Sequence, residues 1–145
     1  IRDALVPLLA RRYGNRAPWL RISRAPAGQR GLKARVIAAL GANALEKIAF
    51  SAGVACAEGL SGIYDFRGDE AAYAHRMTRW LATSDAGTVL MCHPDDADTG
   101  SEDPDPIALA RAREAHFLAS DTFARQLAEQ RVRLVRGSAL YSAQA

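Results

Sequence analysis

A continuous apolar run, Val89-Leu90-Met91-Cys92, is cut off by His93 and Pro94 and then by carboxylates. Alternate side chains of a strand point to opposite faces, so an unbroken apolar run fits a strand covered on both sides. Pro94 has no backbone N–H to give a neighbouring strand, and the strand is expected to end at or just before His93. A sheet built from such strands needs apolar layers on both faces. Helices are the usual covering.

The rest of the chain supplies them. Asp3–Tyr13 has helical spacing in Leu5, Leu8 and Leu9, with Pro7 tolerated in the first turns and Gly14-Asn15 as a stop. Pro18–Ser23 reads as a short strand closed by Pro26-Ala27-Gly28. Gly31–Ala52 reads as a long helix weakened at Gly41 and ended by Gly53, and Val54–Ala57 as another buried strand. Gly59–Phe66 is a glycine-punctuated loop, and Asp69–Ala82 is an amphipathic helix with Ala72, Tyr73, Arg76, Met77 and Trp80. Beyond the acidic stretch, Asp105-Pro106 opens a helix in the preferred way, Ser120 caps another through Gln130, and Val132–Val135 reads as a last strand. Residues 138–145 are expected to fray.

The order α-β-α-β-α-β-αα-β, with no hairpin signal and no internal repeat, predicts an α/β fold with parallel strands covered by helices over residues 1–137. The leading helix has no strand before it, as if a larger α/β unit had been cut through its middle.

Composition narrows the function classes. The 145 residues are 49% hydrophobic and 24% charged, an ordinary globular balance, and no apolar run approaches the ~18 residues of a membrane span. Cys56 and Cys92 lie in apolar contexts without metal-ligand spacing, so buried structural cysteines and a reducing cytoplasm are the expectation. The first 36 residues carry nine basic side chains against Asp3 alone. No zinc knuckle, aromatic RNA-binding strand or helix-turn-helix spacing accompanies them, which argues against a nucleic-acid partner. The carboxylates between Asp95 and Asp105 do not keep calcium-loop spacing and read as a flexible acidic loop.

Few residues are placed to do chemistry. His93, after a buried strand, suits a general acid or base, a metal ligand, or a histidine that fixes a loop through hydrogen bonds. His75 and His116 fall among charged residues on helices and read as surface. Arg21, near the end of the first strand, can hold a carboxylate by charge-assisted hydrogen bonds or belong to an arginine-rich surface. Tyr64, Asp65 and Phe66 put two aromatics around one carboxylate in a loop, an arrangement suited to packing on a barrel end or a sugar ring.

Gly62-Ile-Tyr-Asp-Phe66, Trp80-Leu81, Val89-Leu-Met-Cys-His-Pro94, Asp105-Pro-Ile107, Ala112-Arg-Glu114, Leu118-Ala-Ser-Asp121 and Val132–Val135 follow one another in an order that resembles the YdjC-like carbohydrate deacetylases, also called the ChbG/HpnK family. The hopanoid-biosynthesis-associated HpnK branch is the most similar. The resemblance implies the C-terminal half of a (β/α) barrel-like deacetylase. It implies hydrolysis of an N-acetyl group from an amino sugar or glycoconjugate, and a divalent metal, Mg or Zn, held by an Asp and two His from the N-terminal half. No such ligand set is found in this chain. By the same resemblance His93 is the acid that protonates the leaving amine or a group that orients water, and Arg21 holds the catalytic Asp. Tyr64, Asp65, Phe66 and Pro94 would meet the substrate. Asp95 departs from the family's glycine after His-Pro, and Asp adopts glycine's conformations less readily. The competing expectation is a non-catalytic α/β binding or assembly module, because half a barrel exposes sheet edges that favour homo-oligomers.

Overall fold

The computed structural model describes residues 1–29, 36, 41–95 and 105–141. They divide into two compact units, one formed by 1–61, 83–90 and the chain from 134, the other by 62–82 and 91–133.

In the first unit, helix α1 (Arg2–Tyr13) accommodates Pro7 and ends at Gly14, and helix α2 (Asn43–Ser51) follows the π-helical residues Gly41 and Ala42. Val6, Ala49 and Val54 are buried together at its centre, with Leu20, Leu45 and Ile48 packed around them. Strand β1 (Gly59–Ser61) pairs in parallel with β2 (Thr88–Leu90), Gly59 opposite Thr88 and Ser61 opposite Leu90. Beside β1, Leu20 makes a parallel bridge to Cys56. Ala57 donates to the Leu20 carbonyl and Leu60 to that of Arg24, both at 2.8 Å. The interval is four residues on one side and three on the other. One residue too many on the 20–24 side breaks the ladder as a bulge does, while Ile22 stays fully buried.

Parallel pairing and mixed helices and strands are compatible with the expected α/β class. The strands are shorter than their sequence suggests. Pro18–Ser23 and Val54–Ala57 are reduced to a single bridge, and β1 lies in what reads as a loop. Gly59-Leu60-Ser61 lacks β-branched residues, yet all three are buried. A Cβ on Gly59 would come within 3.1 Å of the Arg24 carbonyl, so the pairing depends on a residue that propensity marks as a strand breaker. β2 ends at Leu90, and Met91–Asp95 carries no regular structure. Val132–Val135 is not a strand: Leu134 and Val135 are exposed, and no described strand pairs with them. Of the residues 138–145 expected to fray, 138–141 belong to a short helix, α6 (Gly137–Tyr141), whose Tyr141 ring lies 5.2 Å from that of Trp19, and 142–145 lie outside the described residues. Residues 31–35 and 37–40 of the expected Gly31–Ala52 helix and the acidic residues Asp96, Asp98, Glu102 and Asp103 lie outside the described residues.

The second unit is built on helix α3 (Glu70–Thr83), α4 (Ala108–Leu118) and α5 (Asp121–Glu129). Tyr73, Met77, Trp80 and Leu81 recur at helical spacing on the buried side of α3. Phe117 of α4 meets Tyr73 edge-on at 5.3 Å and Phe123 of α5 at 5.6 Å. Ser120 caps α5 as its sequence indicates, accepting from the Phe123 N–H at 3.3 Å. Helix α4 starts at Ala108, not at Pro106: the Asp105 carboxylate accepts from the Ile107 N–H at 2.9 Å and closes a turn before the helix begins.

Candidate active site around His93

The loop Gly62–Gly68 and the segment Met91–Asp95 meet because residue 62 is a glycine. Its φ is +92°, and a Cβ there would overlap the Met91 carbonyl oxygen and lie 2.9 Å from the Met91 nitrogen. Two backbones can touch here only without a side chain. The loop turns again at Phe66, which holds a φ of 62°, an uncommon state for a bulky residue. Arg113 of α4 secures this turn, donating to the Phe66 carbonyl at 3.1 Å and to that of Gly68 at 2.7 Å.

Glu114, one residue along α4, is the centre of the site. It is completely buried. Its Oε1 accepts from the Tyr64 hydroxyl at 2.6 Å, and its Oε2 accepts from the His93 backbone N–H at 2.6 Å. Both close partners are donors, the pattern a carboxylate accepts. Burying a charge without such partners would cost several kcal/mol. The His93 Nδ1 lies 3.9 Å from Glu114 Oε1, inside ion-pair range but beyond a hydrogen bond, and has no other hydrogen-bond partner. The imidazole stands edge-on to Phe66 at 5.2 Å. Arg111 Nη1 donates to the His93 carbonyl at 3.4 Å, while its Nε sits 2.6 Å from Asp105. The His93 side chain remains one-quarter exposed. Its backbone is held at both the N–H and the carbonyl, and its ring is partly open.

An aromatic shell surrounds the tyrosine. Tyr64 lies 4.8 Å from Phe66, 5.6 Å from Tyr73 and 5.7 Å from Trp80, and the Arg76 guanidinium sits 5.1 Å over its ring. Burial first, and then the bond to Glu114, push the Tyr64 phenol up to about 12. It stays a donor at any physiological pH. Tyr73 contacts the Cys92 sulfur at 3.8 Å, and burial pushes that thiol up, which suits a structural cysteine. Asp65 points the other way. The Arg67 backbone N–H holds its carboxyl below the usual range, with Arg76 adding to the effect, and the side chain is more than half exposed.

The sequence-predicted residues thus fall into two groups. His93, Pro94, Tyr64, Asp65 and Phe66 all belong to the second unit, with Pro94 and Asp65 exposed. Arg21 belongs to the first unit and is exposed. In that unit Arg24 grips Glu46 with two bonds, at 2.8 and 2.6 Å. Histidines 75 and 116 are exposed as expected, His116 beside Glu70 at 2.6 Å. Sequence reasoning missed the role of Glu114, together with Arg111 and Arg113 as holders of the two loops. The available signal was a carboxylate in line with Ala110 and Phe117, on the apolar side of α4.

A divalent ion finds no home in these residues. Among the described residues no three His, Cys, Asp or Glu side chains come together, and both oxygens of the carboxylate nearest His93 already accept hydrogen bonds. The described residues do not fit the metal that the resemblance implies.

A mixed helix-and-strand chain with parallel pairing is compatible with the α/β class. The profile of the YdjC-like protein family matches residues 1–129, so the chain belongs to that family, whose members are carbohydrate deacetylase-like hydrolases. No curated protein and no solved structure shows a significant match.

Proposed function

We propose that this chain carries the proton-donating side of a carbohydrate N-deacetylase of the hopanoid-associated HpnK branch, acting in the cytoplasm. In this reading it corresponds to the C-terminal half of a barrel-like enzyme, and the divalent ion, Mg or Zn, is held by residues outside those described. The observation that carries the reading is the His93 imidazole, one-quarter exposed, with its Nδ1 facing the buried Glu114.

Amide hydrolysis adds water to the acyl carbon and breaks the C–N bond, and the departing nitrogen needs a proton. With Nδ1 turned to Glu114, Nε2 across the ring is left to give that proton, and His93 recovers one from the added water. Free amine and acetate result. Asp65 and Pro94 are exposed and offer contacts to a sugar. Tyr64 and Phe66 serve the substrate mainly by shaping the loop, since the Tyr64 hydroxyl is committed to Glu114. Arg21, in the first unit, is the arginine that the family resemblance assigns to holding a carboxylate.

Replacing His93 with Asn in the intact enzyme tests this. Turnover of an N-acetylated amino sugar is expected to fall about 100-fold or more, the usual contribution of a positioned acid. An activated aryl acetate, whose leaving group departs without a proton, should lose far less. Wild-type turnover of the amide by His93→Asn would overturn the assignment.

A further inference from the structure

We propose that Glu114 is the positioning residue of His93, setting the direction from which the imidazole delivers its proton; this rests on the reading of His93 as the acid. Glu114 Oε2 takes the His93 backbone N–H at 2.6 Å, so the carboxylate fixes where the residue sits. Its Oε1 lies 3.9 Å from Nδ1 of the same residue, so the same group faces the ring. Nδ1 is buried and has no hydrogen-bond partner, which leaves Glu114 as the acceptor it faces. An approach of about 1 Å would close an ordinary charge-assisted hydrogen bond of ~2.7–2.9 Å. Catalytic hydrogen bonds are commonly long in the free enzyme and tighten with substrate bound.

Two further contacts limit how the site can move. Tyr64 holds Oε1 from the far side at 2.6 Å, which keeps the carboxylate from rotating away. Phe66, edge-on at 5.2 Å, restricts the tilt of the imidazole. A buried carboxylate has to be compensated by donors. Here one of its two donors belongs to His93 itself.

The test is a double-mutant cycle in the intact enzyme. The kcat and KM of wild type, Glu114→Gln, His93→Asn and the double variant are measured on an N-acetylated amino sugar and on an activated aryl acetate. Glu114→Gln is expected to lower kcat on the amide about tenfold to a hundredfold, as a misplaced catalytic group does, with KM within about twofold. The aryl acetate should be nearly unaffected. In the His93→Asn background, Glu114→Gln should cost nothing more. Independent, multiplying losses would overturn the inference, as would an equal loss on both substrates or an unchanged kcat. If Glu114→Gln does not fold, Tyr64→Phe decides: it leaves Glu114 and its bond to His93 in place while freeing Oε1. A fall in kcat on the amide that vanishes in the His93→Asn background supports the proposal, and an unchanged or multiplying effect sinks it. If His93→Asn alone keeps full activity, the acid reading falls and this inference with it. If His93→Asn is inactive while Glu114→Gln keeps the wild-type kcat, only the positioning role falls.

Discussion

Tyr64 shows how much a single side chain does in this site. Its ring is the hub of four aromatic or cationic contacts, and its hydroxyl is one of the two donors to a fully buried carboxylate. Removing that hydroxyl in Tyr64→Phe leaves Glu114 Oε1 short of a partner, and hydrogen bonds to charged groups are worth about 1.5–3 kcal/mol. A stability loss of that order is expected in denaturant unfolding. The phenol itself makes a second prediction. Its folded value of about 12 lies above the usual ~10, so the stabilisation it brings is complete below about pH 10 and is lost as pH rises through about 12. Ultraviolet titration should show a phenolate step near 12 that Tyr64→Phe removes. Residues of this kind were legible as a motif but not as a network. Tyr64 and His93 stood out because an aromatic loop and a histidine beside a proline are unusual in sequence. Glu114 did not: its spacing puts it in line with Ala110 and Phe117, but its two hydrogen-bond partners lie far away in sequence, and only packing brings them to it.

Secondary-structure elements were readable where local chemistry decides them and unreadable where pairing does. Helix α3 follows its apolar spacing, and α5 begins where Ser120 says it should. The serine oxygen accepts from the Phe123 N–H and its hydroxyl donates to the Phe117 carbonyl at 2.7 Å, tying the start of α5 to the end of α4. Ser120→Ala is therefore expected to cost about 1 kcal/mol, and up to about 2, in thermal or denaturant unfolding. Strands behaved otherwise. Val132–Val135 has the composition of a strand but leaves Leu134 and Val135 exposed, whereas Gly59-Leu60-Ser61 has little strand propensity and is buried and paired. A strand exists only through its neighbour, and no window of sequence contains the neighbour.

At the scale of the whole molecule, parallel pairing and alternation of helices with short strands agree with the α/β class, and the family match covers all but the last 16 residues. Among the described residues no helix is long and apolar enough to cross a membrane. If the ion-binding residues lie elsewhere, the 145-residue chain alone, given Mg or Zn, should release no acetate from N-acetylated amino sugars and should bind neither ion tightly in calorimetry. Turnover by this chain alone would overturn the proposal that it carries only the proton-donating side.

Glu114 also has a consequence for how relatives of this chain can diverge. It joins three stretches far apart along the sequence: the loop at Tyr64, the segment at His93 and helix α4. Replacing it with an apolar residue would strand the tyrosine hydroxyl without its acceptor, and replacing the tyrosine with an apolar residue would strand the carboxylate. Positions 64 and 114 should therefore change together across an alignment or not at all, so that a lineage in which only one has drifted would mark a site that has lost its reason to be kept.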